Sequence, residues 1–180
     1  MSPSSTAALA KDNLVPSNQL CHNTYVLLKK YRDIVWSLEL SVHRLQNDFE
    51  KEYGSSIEDY LDTIYLAGAE LSGTKLEYHS KCIDRSHKMI KIINHAIGVL
   101  RSKHKKGEMY YWILYYSFLS PQQLSDVQEI IEKLSPHIRR ISYRSYYRKR
   151  QEALNELSTV LWAYTSKDTW KILNEFIPEH

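Results

Sequence analysis

Tyr31, Val35, Leu38, Val42, Leu45 and Phe49 recur at intervals of 4, 3, 4, 3 and 4 residues. That spacing draws one apolar stripe along a helix from about His22 to Tyr53 and excludes a strand, whose faces alternate with a period of two. It also has the a/d rhythm of a coiled coil, so the stripe is either the core side of an N-terminal bundle or a dimer seam. Gly54 ends the helix. Ser55, with Glu58 three residues on, forms a capping box for a second, short helix bearing Ile57, Leu61 and Ile64. After Gly68 and Ser72-Gly73, a third long helix runs from roughly Thr74 to Lys103, with Ile83, Ile90, Ile93, Ile97 and Leu100 inward.

The basic stretch Arg101-Ser-Lys-His-Lys-Lys106, closed by Gly107, marks the boundary between two halves. The next segment, Tyr110 to Leu119 (YYWILYYSFL), is apolar on every side and reads as the central buried helix of the second half. A strand is possible for such a run, but the helical patterns on both sides disfavour it. Ser120-Pro121-Gln122-Gln123 has the form of an N-cap with proline at the first helical position. The helix it starts continues through Ile130, Ile131 and Leu134, and Pro136 closes it. A last long helix spans about Ser142 to Tyr164, and a short amphipathic tail runs from Trp170 to Ile177. The predicted class is all-α, with a mobile arm (1–20), a helical assembly domain (21–106) and a C-terminal domain (107–180).

Composition fits a folded chain. Of 180 residues, 43% are hydrophobic and 25% charged, with 5 Gly and 5 Pro, which excludes collagen-like and low-complexity classes. Cys21 and Cys82 are too few for a disulfide scaffold, and no apolar run is long enough to span a membrane. The first residues lack a signal-peptide pattern, so the expected location is the cytoplasm. Tyrosine is abundant, 14 against 3 Phe, which suits surfaces that are half buried or meet a partner.

Charge is informative by position rather than by sum. The net value is only +3, yet Lys133, Arg139, Arg140, Arg144, Arg148, Lys149 and Arg150 follow one another without an acid between them. The last helix is therefore basic at its N-terminal end, against the preference of the helix dipole, and a polyanion partner supplies a reason. Tyr143, Tyr147, Leu154, Leu157, Leu161 and Tyr164 are expected on one side. Arg144, Arg148, Gln151 and Asn155 take the other, with Tyr146 and Lys149 flanking. Three helices, the third polar and arginine-bearing, suit a helix-turn-helix reader of double-stranded DNA. Arg pairs bidentately with guanine, Gln or Asn with adenine, and Arg, Lys, Ser and Tyr reach phosphates. A solvated charged face is the plainer account of the same run. The Ser135–Ile141 connection is longer than the three or four residues of a tight helix-turn-helix, and an extra helical turn over Pro136–Arg140 would account for it.

The stretch Gly107-Glu-Met-Tyr-Tyr-Trp-Ile-Leu-Tyr-Tyr-Ser-Phe-Leu-Ser120 resembles the opening of the C-terminal domain in the ArpU/RinA-type phage transcriptional regulators. Glu129-Ile-Ile-Glu-Lys-Leu134 and Ile141-Ser-Tyr-Arg-Ser-Tyr-Tyr-Arg-Lys-Arg-Gln-Glu-Ala-Leu154 resemble that family's helix-turn-helix, which is similar to region four of bacterial sigma factors. The shared pattern falls on Ile130, Leu134, Ser142, Ser145, Tyr146, Arg148, Arg150, Ala153 and Leu154. Tyr60–Lys75, Asp84-Arg-Ser86 and Leu161–Ser166 are similar to the streptococcal-type branch, so the likeness covers about residues 57–177. The long connection before Ser142 departs from the compact form of the family. The resemblance implies an activator of phage or prophage late genes that works with the host RNA polymerase in a bacterial cytoplasm. It places Arg144, Ser145 and Arg148 against bases or nearby phosphates, and gives Tyr146, Lys149 and Arg150 phosphate contacts or packing. Arg139, Arg140, Ser142 and Gln151 complete the candidate DNA-binding set. A homodimer through the N-terminal helices would set two readers on two half-sites.

Other classes find less support in the residues. A helical packaging adaptor resembling small terminase subunits would also carry a basic stretch, without sequence-specific regulation. A membrane-surface helix would need Leu and Trp where Tyr and Ser stand. His79 and Cys82, with Cys21-His22, make a loose set without the paired spacing of a zinc site, so no metal or other cofactor is expected. Asp59, Asp62 and Glu70 read as surface acids, and His137 beside Arg139 and Arg140 as a turn residue or phosphate neighbour and not a catalytic base. Without a nucleophile or phosphate-cradling motif, the chain is expected not to be an enzyme.

Overall fold

The helical stripes read from the sequence become long rods in the computed structural model, which describes residues 17–56, 59, 75–163 and 167–178. Every regular element among them is helical: α1 (Ser17–Tyr53), α2 (Lys75–Lys103), α3 (Gly107–Leu114) running into a π-helical turn (Tyr115–Leu119), α4 (Val127–Leu134), α5 (Tyr143–Ala163) and α6 (Lys167–Asn174). α1 starts at Ser17, inside the stretch expected to be an arm; residues 1–16 and the expected helix around Ile57, Leu61 and Ile64 lie outside the described residues. Gly54 takes φ +68°, where an L side chain is strained, and its N–H closes α1 on the Glu50 carbonyl at 2.9 Å. No described helix is long and apolar enough to cross a membrane.

α1 and α2 run antiparallel. Tyr31, buried at the start of the α1 stripe, donates its hydroxyl to Asn94 Oδ1 at 2.9 Å. Farther along, Leu38 and Leu45 face Cys82 and Ile83. The main core pools Leu27, Leu28 and Tyr31 of α1 with Met89, Ile93 and Ile97 of α2, Tyr110 and Leu114 of α3, and Leu154, Leu157 and Leu161 of α5. Packing is thus continuous across Gly107, where the sequence places a domain boundary. The junction is tight: a Cβ on Gly107 would overlap the carbonyls of Leu100 and Arg101, so only glycine fits there.

Two polar ties, one buried and one half-buried, hold this core in register. Thr24 donates to the Leu20 carbonyl and accepts the indole N–H of Trp162, both at 2.9 Å. Arg32 reaches from α1 to the end of α3 and donates Nε to the Ser120 carbonyl at 2.7 Å. It therefore neutralises the carbonyl end of α3, where the ladder loosens to a five-residue bond, Ser120 N–H to Tyr115 O. Tyr110 is buried against α5, with its hydroxyl donated to Glu152 at 3.2 Å. Burial first, then the Glu152 charge, pushes its phenol up to about 12.

α4 begins later than the Ser120-Pro121 pattern suggests. Ser120 has the extended ψ of an N-cap (132°), but its hydroxyl donates to the Gln122 carbonyl at 2.6 Å instead of accepting a first-turn N–H. The working N-cap is Asp126, whose carboxylate accepts the Glu129 N–H at 2.9 Å. Glu129 reaches back to accept Ser125 N–H and Oγ–H, each at 2.8 Å. The bond from the Ser125 backbone, then the one from its hydroxyl, holds the Glu129 carboxyl below its ordinary range. Asp126→Ala is expected to cost about 1 kcal/mol of stability. A chemical-denaturation midpoint would show it, whereas Ser120→Ala should leave the start of α4 unchanged by amide exchange.

Candidate nucleic-acid interface

A second, smaller core positions the basic surface. Ile113 of α3, Leu134 of α4, Ile138 of the connection and Tyr146 of α5 are buried together, and Trp112, Tyr116, Val127, Ile130, Ile131 and Ile141 pack around them. α4 and the first turns of α5 are thereby fixed on the side of α3. After Leu134 the chain curls once more, with His137 and Ile138 N–H both bonded to the Leu134 carbonyl at 2.9 Å. It then turns through Arg140, a non-glycine residue at φ 45°. That extra curl and left-handed residue explain why the Ser135–Ile141 connection is long. Ser142 then caps α5, its hydroxyl accepting the Ser145 N–H at 3.3 Å and meeting Ser145 Oγ at 3.0 Å.

Arg139, Arg140, Arg144 and Arg148 are exposed. Among the described residues, no ion pair engages Arg139, Arg140 or Arg144. Arg148 stands 4.0 Å from Glu152 with its side chain 71% exposed, a contact too long and too wet to hold it. Two exposed tyrosines join them: Tyr143 (58%) and Tyr147 (38%), whose hydroxyls are 3.3 Å apart. The Arg150 guanidinium lies over the Tyr147 ring, 4.9 Å from its centroid.

Three of the expected DNA contacts are turned elsewhere. Tyr146 is fully buried, and its hydroxyl shares a hydrogen bond of 2.8 Å with Ser117 Oγ in the π turn. Of its two expected roles it takes packing, and the expected inward pair, Tyr143 and Tyr147, faces out. Leu154, Leu157 and Leu161 of that side are buried, and only in the first turns of α5, where Tyr146 enters the smaller core instead, are the side's tyrosines left uncovered. Lys149 is half buried and donates to Met109 Sδ at 3.0 Å. Gln151 lies on the arginine stripe, but there the stripe meets α1: its amide donates to Cys21 Sγ at 3.2 Å and Asn155 Oδ1 at 3.3 Å. Tyr164 lies outside the described residues. The surface that remains is Arg139, Arg140, Ser142, Tyr143, Arg144, Ser145, Tyr147 and Arg148.

Beside this surface lies an aromatic group on α3. His137 stacks on the Trp112 indole with centroids 3.6 Å apart and planes 13° from parallel. Trp112 donates its N–H to Glu108 at 2.9 Å. Arg101 holds Glu108 with two bonds of 2.7 and 2.8 Å and lies 4.0 Å over the Tyr111 ring. The Arg101 bond, foremost, holds the Glu108 carboxyl below its ordinary range. No residue pattern in the sequence announces the Trp112–His137 pairing, because the partners stand on different elements.

No family model, curated protein or solved structure matches this chain.

Proposed function

We propose that the chain binds double-stranded DNA through the α4–turn–α5 unit, with the N-terminal turns of α5 in the major groove, and acts as a transcriptional activator of phage late genes alongside the host RNA polymerase. The DNA-binding part rests on one observation: four arginines stand exposed at and before the start of a long helix whose other side is anchored in two cores. Arg144 and Arg148, one turn apart, suit base edges or flanking phosphates. Arg139, Arg140, Tyr143 and Tyr147 suit the backbone. The regulatory part rests on the resemblance of residues 57–177 to the ArpU/RinA-type regulators, and a homodimer through α1 and α2 would place two reading helices on two half-sites.

Binding to duplex DNA by fluorescence anisotropy across a salt series tests it. With about four phosphates neutralised, log affinity should fall against log salt with a slope near −4. A site selected from random duplexes should be preferred over competitor by about 10³-fold or more. A flat salt response overturns DNA binding. A steep response without site preference overturns regulation in favour of a packaging adaptor.

A further inference from the structure

We propose that the exposed face of His137 is a stacking position for one unpaired DNA base, whose flanking phosphates rest on Arg139 and Arg140. This extends the reading of the α4–α5 surface as a nucleic-acid interface. The geometry is that of a prepared platform. The imidazole lies nearly parallel to the Trp112 indole at 3.6 Å, so one of its faces is covered, while His137 as a residue remains exposed. Both rings are held in place. Tyr116 Oη meets His137 Nε2 at 3.4 Å, and Glu108, itself clamped by Arg101, takes the indole N–H at 2.9 Å. A third flat ring on the open side continues a stack already two rings deep.

The surroundings select the ligand. Arg139 and Arg140 follow within three residues, both exposed, and no acid occurs between Lys133 and Arg150. The carboxylate behind the stack, Glu108, is already bonded by Arg101 and Trp112. A flat ring flanked by negative groups is what this surface complements, and a nucleotide has both. Bases within a duplex already stack on one another, so the occupant is an unpaired or extruded one. Such a site beside the groove-reading helix would favour locally opened DNA.

The test uses the full chain and two duplexes of one sequence, one with a three-base unpaired bubble carrying a fluorescent adenine analogue. Bubble DNA should bind roughly 5- to 100-fold more tightly than the paired duplex, with the analogue's fluorescence quenched by stacking. His137→Ala should remove the preference and the quenching while leaving affinity for paired duplex within about twofold, since stacking on exposed His137 is needed only for the unpaired base. His137→Phe should keep both. Equal affinity for the two DNAs without quenching overturns the stacking site, as does a His137→Ala protein that retains the preference. An equal loss on both DNAs in His137→Ala shows a purely structural ring and also overturns it. Loss of paired-duplex binding alone, with bubble binding retained, overturns groove reading and leaves the stacking site standing. Failure to bind either DNA overturns both.

Discussion

Replacing Arg144 and Arg148 together by alanine is expected to remove site-specific DNA binding and leave the fold intact. Each arginine that contacts a base or its phosphates should contribute about 1–3 kcal/mol. The pair then accounts for roughly 2–6 kcal/mol, on the order of 30- to 10⁴-fold in affinity. The salt slope should shrink by about 2 as two phosphate contacts are lost. Stability should not move, because neither side chain is buried and the single acidic neighbour, Glu152, lies at the limit of ion pairing with Arg148. Anisotropy on selected and competitor duplexes, paired with a thermal melt, reads both quantities at once. Unchanged affinity in a folded double variant would remove the basis for placing α5 in the groove.

The largest effect on stability should come from Tyr146→Ala. The ring is fully buried between Ile113, Leu134 and Ile138, so truncation leaves a cavity costing about 3–5 kcal/mol. That is a large share of the roughly 5–15 kcal/mol that holds a domain folded. The loss should appear in the denaturant midpoint and should loosen the first turns of α5, so DNA affinity falls as well. Tyr146→Phe isolates the hydroxyl. Ser117 would keep its bond to the Ile113 carbonyl, 2.5 Å away, and the cost should be about 1 kcal/mol. A Tyr146→Ala protein as stable as the parent would show that the small core does not position the reading helix.

What the residues alone disclosed follows from how local each signal is. The α1 and α2 stripes persist over many turns, so their existence and sense could be read directly, and the acid-free arginine run could be read in the same way. The start of α4 could not. Ser120-Pro121 and Asp126 with Glu129 are both reasonable caps within one short stretch, and only the fold shows that the Ser120 hydroxyl goes to the Gln122 carbonyl and its own carbonyl to Arg32, leaving Asp126 to accept the amide. The sides of α5 were misjudged only in its first turns, because tyrosine fits both core and surface. Three of them, at 143, 146 and 147, surround the dividing line between the faces. Enclosure by Ile113, Leu134 and Ile138, with Ser117 meeting the hydroxyl across 29 residues, puts Tyr146 inside. Lys149 and Gln151 were assigned by charge and polarity. Their actual neighbours, Met109 and Cys21, belong to other helices.

Arg32 carries a consequence for how such a protein is built. Its bond to the Ser120 carbonyl means that α1 finishes the helix on which the small core rests. The arginine-bearing rod is therefore no detachable cassette. Transplanted from Gly107 onward onto another scaffold, it would leave behind Leu27, Leu28 and that guanidinium, and lose the footing that aims it. The described residues that share this footing run from α1 to α6.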